Sequence, residues 1–312
     1  MDEQINITGV EESLFDNSFL KKNISQNNKM LSDKKIAISV SVNEDLERNG
    51  LSEQHINDIS IEIARYIISN GGTALYGGDL RIGGFTEYFS ELSNQYKIVN
   101  DRNFRFINYF PFPNSKRIDK YVQADFKSKQ IEAKILEHPI HLNIDYNREY
   151  EPFISIEDRY VYCECFKDMR VQMAKDCMAR ILVGGKTTNF LGYIPGVIEE
   201  ALLTLNENKP IFLVGGFGGA TEKLINLIKG YDVEEFTNEF QYNSDFLKKY
   251  KDFVEDKCSY SNYENLRKEF VKYDIKKLSD LNSLSIEENE ILFSSKNIHE
   301  ILRLLMKGLM CL

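Results

Sequence analysis

The sequence predicts an α/β protein with a Rossmann-like, doubly wound and mostly parallel sheet, helices on both faces and a C-terminal helical extension. One observation behind this prediction is that short β-branched segments alternate with helical segments, as in repeated strand–helix units. Another is that 14 of the 18 glycines lie in residues 71–84, 184–196 and 215–219. Apart from Gly71 and Gly72, which should end a helix, these glycines connect predicted strands to predicted helices. They are therefore expected at the carboxyl edge of the sheet, where ligands bind.

The first strand is predicted over residues 36–42, a short and almost continuous apolar run rich in β-branched side chains. The helix after it, over residues 52–69, carries Ile56, Ile59 and Ile63 on one face. The other predicted strands span residues 73–76, 104–110, 131–136, 180–183 and 211–214. The other predicted helices span residues 85–96, 155–178 and 195–206, and one more ends near residue 229.

Three segments of different character divide the chain. Residues 1–33 are polar with scattered apolar positions and are expected to be a mobile or loosely docked arm. Residues 34–233 hold the strand–helix units and form the predicted nucleotide-binding domain. Residues 234–312 are predicted to be an α-helical extension. Its segment 286–310 is expected to end in an amphipathic helix that carries Ile291, Ile298, Ile301, Leu302 and Leu305. This extension is expected to cap the sheet or to form an oligomer contact.

Composition disfavours several functional classes. The chain has 39 basic and 48 acidic side chains, a formal charge of −9, and so lacks the broad basic surface that nucleic-acid binding requires. It has no apolar run of about 18 residues, and it begins with a polar, acidic stretch where a signal peptide would be basic and then apolar. These features predict a cytoplasmic protein without a membrane partner.

The cysteines and histidines do not indicate a metal site. Only Cys163 and Cys165 are close among five scattered cysteines, and no second pair completes a zinc site, so we expect reduced thiols. His138 and His141 lie in irregular sequence without a neighbouring cysteine or acidic motif to complete a ligand set. Neither a bound metal nor a required cofactor is therefore expected.

The glycine loops predict an anion-binding site. A glycine-rich turn lets backbone N–H groups approach an anion, and the start of the next helix adds a partial positive charge. Phosphate is the usual ligand of such a turn, so a nucleotide or sugar phosphate is the expected partner. The predicted ligand-binding residues are Gly77, Gly78, Asp79, Arg81, Gly83, Gly84, Thr86, Glu87, Gly184, Gly185, Lys186, Gly192, Gly196, Gly215, Gly216, Gly218 and Gly219.

Two narrower interpretations of these loops fail in detail. The segment from Gly216 to Gly218 has Thr221 where the third glycine of the dinucleotide motif belongs, which disfavours an NAD-dependent dehydrogenase. The Gly185-Lys-Thr segment lacks the glycine five positions earlier that a phosphate-binding P-loop needs, which disfavours a kinase or ATPase. Two alternatives stay open: the glycines permit only tight turns and close packing, and Thr86 and Glu87 only cap their helix.

Together these segments resemble the SLOG superfamily of Rossmann-like nucleotide-binding proteins. The superfamily is named for the Smf/DprA and Lonely Guy proteins and includes domains of TRPM channels and of bacterial conflict systems such as Thoeris. The chain is similar to its stand-alone, defence-associated prokaryotic members. The resemblance covers about residues 35–230 and rests on Gly77-Gly-Asp-Leu-Arg-Ile-Gly-Gly-Phe-Thr-Glu87, Arg170, Gly184-Gly-Lys, Pro195-Gly-Val-Ile-Glu-Glu200 and Gly215-Gly-Phe-Gly-Gly219.

The resemblance implies that the chain binds and senses a nucleotide or an NAD-derived molecule of the ADP-ribose type. The C-terminal helices would then report occupancy to an oligomer or to an effector protein, as part of an anti-phage or conflict system. An interaction scaffold whose loops hold no ligand is a further alternative, and it predicts that Gly78→Val and Gly185→Val disturb stability only.

A catalytic role is the other implication of the resemblance. Lonely Guy enzymes act on the N-glycosidic bond of nucleoside monophosphates. The resemblance implies that Arg170 corresponds to their catalytic arginine, and either Glu199 or Glu200 to their catalytic glutamate. A spacer between Gly185 and Gly192 interrupts the glycosidase motif here, so whether the chain is an enzyme is left open. Because neighbouring helix residues point about 100° apart, we expect one glutamate to act and the other to face solvent.

Overall fold

A single parallel sheet of six strands organises the described part of the chain. The computed structural model describes residues 29–78, 83–97 and 103–312, so Asp79, Arg81 and most of the predicted arm over residues 1–33 lie outside it. The strands follow the order β4-β3-β2-β1-β5-β6, and all pairs are parallel. They are β1 (Lys35–Ser41), β2 (Thr73–Gly77), β3 (Phe106–Phe110), β4 (Ile131–Ile135), β5 (Ala179–Gly184) and β6 (Ile211–Val214). The predicted α/β fold is thereby confirmed.

The direction of the strand order reverses at β1. On one side of β1, Lys35 pairs with Thr73 of β2, and on the other side Ile36 pairs with Ala179 of β5. The chain therefore builds β1 to β4 outward in one direction and β5 and β6 outward in the other. In an open parallel sheet, such a reversal leaves a crevice at the carboxyl ends of the two strands that meet there.

Twelve α-helices lie within the described residues. The first six belong to the strand–helix units, and they are α1 (Glu53–Ser69), α2 (Phe85–Gln95), α3 (Lys120–Ser128), α4 (Ile156–Asp176), α5 (Gly196–Asn206) and α6 (Gly219–Ile228). The other six follow β6 in sequence, and they are α7 (Asn238–Gln241), α8 (Asp245–Val254), α9 (Tyr263–Phe270), α10 (Ile275–Asn282), α11 (Ile286–Ser294) and α12 (Ile298–Met310).

Alternate side chains of each strand pack against helices on opposite faces of the sheet, as the two-residue repeat of a strand requires. Ile38 of β1 belongs to a core cluster with Ile59 and Ile63 of α1. Ala37, the preceding residue of β1, belongs to another cluster with Met173 of α4. Both faces of the sheet are therefore covered, which explains why the strand segments read as nearly continuous apolar runs.

The segment 286–310 ends in an amphipathic helix as predicted, but Ile291 lies in a separate helix before it, so placing Ile291 in that helix was wrong. The helix α11 ends at Ser294, and the side chain of Asn297 caps the start of α12 by accepting the N–H groups of His299 and Glu300. Apolar residues continue at helical spacing across the break, so the spacing of apolar residues does not show where α11 ends. The side chains of Ser295 and Asn297 are the local signal, since both residue types favour helix starts.

The C-terminal helix α12 packs into the same core as the first strand. Its buried residues Ile301, Leu304 and Leu305 join the cluster that contains Ile38 of β1 and Ile63 of α1. Residues of the predicted extension thus complete the hydrophobic core on one face of the sheet. At the other end of the described chain, Leu31 is also fully buried in this cluster.

All five cysteines are free thiols, and only Cys311 is exposed. Burial raises the pKa of Cys163 to about 11 and the pKa values of Cys165 and Cys258 to about 12. The thiolate is the reactive form, so these buried thiols should react slowly.

We expect one thiol per native protein molecule to react quickly with a thiol reagent. Cys311→Ser should remove this fast reaction, and unfolding in urea should make the other four thiols reactive. Two or more fast equivalents in the native protein would contradict this assignment.

Among the residues that the structure describes, no helix combines the length and the apolar character that crossing a membrane requires.

Candidate functional site

The site lies at the carboxyl edge of the sheet, where the strand order reverses. A cavity of about 260 Å³, here called the switch-point crevice, opens between the ends of β1, β2 and β5 and the start of α5. Its lining includes Ser41 of β1, Gly77 of β2, Arg170 of α4, and Gly196 and Glu200 of α5. Predicted site residues from β2, α4 and α5, which are distant in sequence, therefore lie close together in space. The parallel sheet explains this, because the carboxyl ends of all its strands lie at one edge.

A buried network of two arginines and two glutamates supports one wall of the crevice, and Arg170 and Glu200 are its two members that line the cavity. Arg170 donates a hydrogen bond to Glu199 and lies with its Nε 3.6 Å from Glu200 Oε1. Arg180, which is fully buried on β5, donates to Glu200 Oε2 at 2.6 Å and to the hydroxyl of Ser39 at 2.8 Å. Burial lowers the pKa of Arg170, but the carboxylates of Glu199 and Glu200 outweigh burial and raise it.

The two glutamates correct the expectation that one would face solvent. Glu199 is fully buried, and the side chain of Glu200 is only 12% exposed. Although neighbouring side chains leave a helix in different directions, the guanidinium of Arg170 is wide enough to contact both carboxylates. The remaining oxygen of Glu199 accepts a hydrogen bond of 3.0 Å from the hydroxyl of Tyr260. Burial, and then the charge of Glu199, raise the pKa of Tyr260, so its hydroxyl stays a donor.

Two of the predicted glycines make room for the guanidinium of Arg170. A Cβ atom on Gly192 would lie 2.7 Å from Arg170 Nη1, and one on Gly196 would lie 2.6 Å from Nη2. Real Cβ atoms do not approach so closely, so only glycine fits at either position while Arg170 keeps this place. Arg170 also donates to the carbonyl of Leu191 at 3.2 Å, which ties the loop before α5 to α4.

Lys186 separates the switch-point crevice from a second cavity, here called the side crevice. The side crevice has a volume of about 420 Å³, and its lining includes Asn57, Gly83 and Gly84 together with Lys186. The backbone N–H of Lys186 donates to the hydroxyl of Ser41 at 3.1 Å. Its exposed ammonium group has no ion-pair partner within residues 29–78, 83–97 and 103–312, so its charge is available to a ligand in either cavity.

The residues around the first glycine loop are engaged with the protein. Asn108 lies against Gly78 and donates to the hydroxyl of Thr86 at 3.1 Å. Glu87 accepts the N–H of Gly83 at 2.7 Å, as a capping side chain does at the start of a helix. Glu87 therefore makes the kind of contact that the capping alternative expects, whereas the side chain of Thr86 contacts Asn108 of β3.

The third glycine loop is packed against other parts of the chain. Gly215 and Gly216 lie against the carbonyl oxygens of Phe293 and Ser295, where a Cβ atom could not fit. At the start of α6, the carboxylate of Asp45 accepts the N–H of Gly219 at 3.1 Å and so takes the place that an anion would occupy. Three other predicted glycines also lie against side chains, with no space for a Cβ atom: Gly184 against Ile56, Gly185 against Val197, and Gly218 against Asp45.

Sequence reasoning missed three residues that complete the network: Ser39, Arg180 and Tyr260. Arg180 carried a signal, because it is a charged residue in an otherwise apolar strand segment and must find a partner there. Tyr260 carried none, since nothing local connects it to Glu199, which lies in a different element. His141, considered above as a metal ligand, pairs with Glu164 at 2.9 Å. The described residues contain no group of three or more potential ligands that could hold a metal ion.

These features define a Rossmann-like α/β protein with a ligand crevice at the reversal of its strand order. Comparison with protein families identifies the family: the family model described as SLOG cluster2 matches residues 30–292. The chain therefore belongs to this SLOG family, which is Rossmannoid, and membership suggests a nucleotide-binding domain. Among curated proteins, none matches the chain.

Proposed function

We propose that the chain binds and senses a nucleotide or an NAD-derived molecule of the ADP-ribose type. The observation that carries this proposal is the switch-point crevice, which opens at the start of α5 with the ammonium of Lys186 at its border, unpaired among the residues that the structure describes. A helix start and a lysine are both favourable to phosphate. The ligand would occupy this crevice, and the side crevice across Lys186 leaves room for a second part of it.

The lining of the switch-point crevice suits the other parts of a nucleotide. Tyr76, Phe166 and Phe190 contribute aromatic rings against which a base could stack, and Ser41 at the end of β1 contributes a hydroxyl group for a ribose. Arg170 holds the wall in place through its glutamate partners, so its role in this proposal is to position the crevice.

Two contacts support a sensing role, in which the C-terminal helices relay occupancy to a second copy of the chain or to an effector. Tyr260, in the segment between α8 and α9, donates to Glu199, whose other carboxylate oxygen accepts from Arg170 in the crevice wall. Gln241 of α7 donates to the carbonyl of Thr187, directly after Lys186, at 2.9 Å. A change at the crevice would therefore act on this region through named hydrogen bonds. The place in an anti-phage system rests on the resemblance to defence-associated relatives.

Calorimetric titration with ADP-ribose, its cyclic isomers and nucleoside monophosphates tests the proposal. At least one should bind, and Lys186→Ala should weaken that binding about 10- to 100-fold, since hydrogen bonds to charged groups contribute about 1.5–3 kcal/mol. Lys276→Ala is the matched control, because it removes an exposed charge from α10, outside both crevices. If none of these compounds binds, or if both variants bind like the natural protein, the proposal is wrong.

A second candidate function, hydrolysis of an N-glycosidic bond in NAD or a nucleotide, is favoured by one observation. Glu200 lines the crevice, and its Oε1 atom lies 3.6 Å from Arg170 Nε, whereas its Oε2 atom accepts from Arg180. A carboxylate there could stabilise the positive charge that develops on ribose as the bond breaks. Chromatography for released base, with Glu200→Gln as the comparison, separates an enzyme from a sensor that binds its ligand unchanged.

A further inference from the structure

A second cavity, here called the aromatic pocket, lies outside the site described above. It has a volume of about 430 Å³, and its wall comes from α4, the loop between β5 and α5, and the helices α7, α8 and α9. Aromatic side chains dominate the wall, among them Phe246, Tyr250 and Tyr263. Asn189 and Phe190 line both this pocket and the switch-point crevice.

Arg159 of α4 is the one charged side chain in the described lining of the aromatic pocket. It is only 6% exposed, and no hydrogen-bond partner satisfies its buried Nε. No carboxylate in the described part of the chain pairs with it. Its guanidinium lies instead over aromatic rings, with Cζ 5.0 Å from the ring centre of Tyr250.

The neighbouring hydroxyl and thiol groups do not neutralise this charge. Burial raises the pKa of Tyr250 and the pKa of Tyr263 far above that of an ordinary tyrosine, so both hydroxyls are protonated at neutral pH. Burial also raises the pKa of the Cys163 thiol to about 11. A buried cation without a counter-ion is costly, because the protein does not replace the water that it loses.

Other polar groups in the wall are also unsatisfied or favourable to an anion. The hydroxyl of Tyr263 is buried without a hydrogen-bond partner in the described residues. The helix α8 starts at the pocket, where its cap Ser244 and first-turn residue Phe246 belong to the lining. The positive end of that helix therefore favours a negatively charged ligand, as Arg159 does.

We propose that the aromatic pocket binds a planar aromatic group that carries a negative charge, with the ring stacked among the aromatic side chains and the charge paired with Arg159. The base and phosphate of a nucleoside monophosphate have this chemistry, and so does an aromatic carboxylate. Pairing would supply the counter-ion that Arg159 lacks. This proposal does not depend on what occupies the switch-point crevice.

A tryptophan reporter makes the test specific for this pocket. The chain contains no tryptophan, so Phe246→Trp, at a half-buried position of the lining, gives emission from this site alone. AMP or benzoate should change that emission saturably, and the two arms distinguish a nucleotide from an aromatic carboxylate. Adenosine and inorganic phosphate, each with half of the required chemistry, should need at least tenfold higher concentrations.

Adding Arg159→Met to the reporter chain should weaken binding at least tenfold, whereas Arg303→Met, which removes an exposed arginine from α12, should not. Because the described residues give Arg159 no counter-ion, Arg159→Met should leave the unfolding midpoint unchanged or raise it. Calorimetry with benzoate on the chain that retains Phe246 repeats the comparison without the reporter. The proposal is overturned if neither AMP nor benzoate binds, if Arg159→Met binds them normally, or if that variant loses stability while binding is retained.

Discussion

Replacing Glu200 with alanine is expected to lower the free energy of unfolding by about 3–5 kcal/mol. Glu200 is the carboxylate that pairs with Arg180, whose side chain is fully buried on β5. Removing it leaves Arg180 charged, buried and without an ion-pair partner, since the described residues place no other carboxylate within ion-pair distance of it. Urea denaturation followed by circular dichroism measures the loss.

Two further variants make this measurement specific. Glu207→Ala removes an exposed carboxylate just after the same helix and should change the free energy of unfolding by less than about 0.5 kcal/mol. Replacing both partners with apolar residues, as in Glu200→Leu with Arg180→Met, should recover much of the loss, because no buried charge is then left unpaired. Equal losses from Glu200→Ala and Glu207→Ala would show that the ion pair does not stabilise the fold.

Leu304→Ala, in the last helix, is expected to lower the free energy of unfolding by about 2–5 kcal/mol. Leu304 is fully buried in the core cluster that also contains Ile38 of β1, so its removal leaves a cavity in the hydrophobic core on that face of the sheet. The matched control is Met310→Ala in the same helix, where the side chain is 52% exposed, and its effect should be small.

The shape of the unfolding curve adds a second test of the shared core. Because α12 and β1 lie in one cluster, the described chain should unfold in a single cooperative transition that Leu304→Ala shifts as a whole. A variant that shifts only one of two separate transitions would show that residues 234–312 unfold independently of the sheet, contrary to this expectation.

The spacing of apolar residues predicts the strands and helices well, because each of these elements depends on residues that are close in sequence. The strand at residues 36–42 and the helix at residues 52–69 follow from apolar periodicity, and the structure has them at Lys35–Ser41 and Glu53–Ser69. The arrangement of glycines also predicts the edge of the sheet correctly, because parallel strands that precede helices all end on one side. Gly77 and Gly196 line the switch-point crevice for this reason.

Long-range contacts explain most of what sequence reasoning missed. Gly215 and Gly216 resemble a ligand loop in sequence, but the backbone of Phe293 and Ser295 lies against them, nearly 80 residues later in the chain. The ion pairs of Arg180 and Glu200 likewise depend on how β5 and α5 pack. A single charged residue or a glycine pair therefore does not indicate its own role until the residues that it contacts in the fold are known.

The pairing of β1 with β5 also affects how the protein reaches this structure. Ile36 pairs with Ala179, whereas the same strand's neighbours in β2 begin at Thr73. Forming the centre of the sheet therefore means closing a very long loop, a step whose entropic cost slows the folding of parallel sheets. Ser39 and Arg180, which meet only across this pair, become neighbours after that closure. A ligand that needs the crevice wall can therefore bind only a chain that has completed the middle of its sheet.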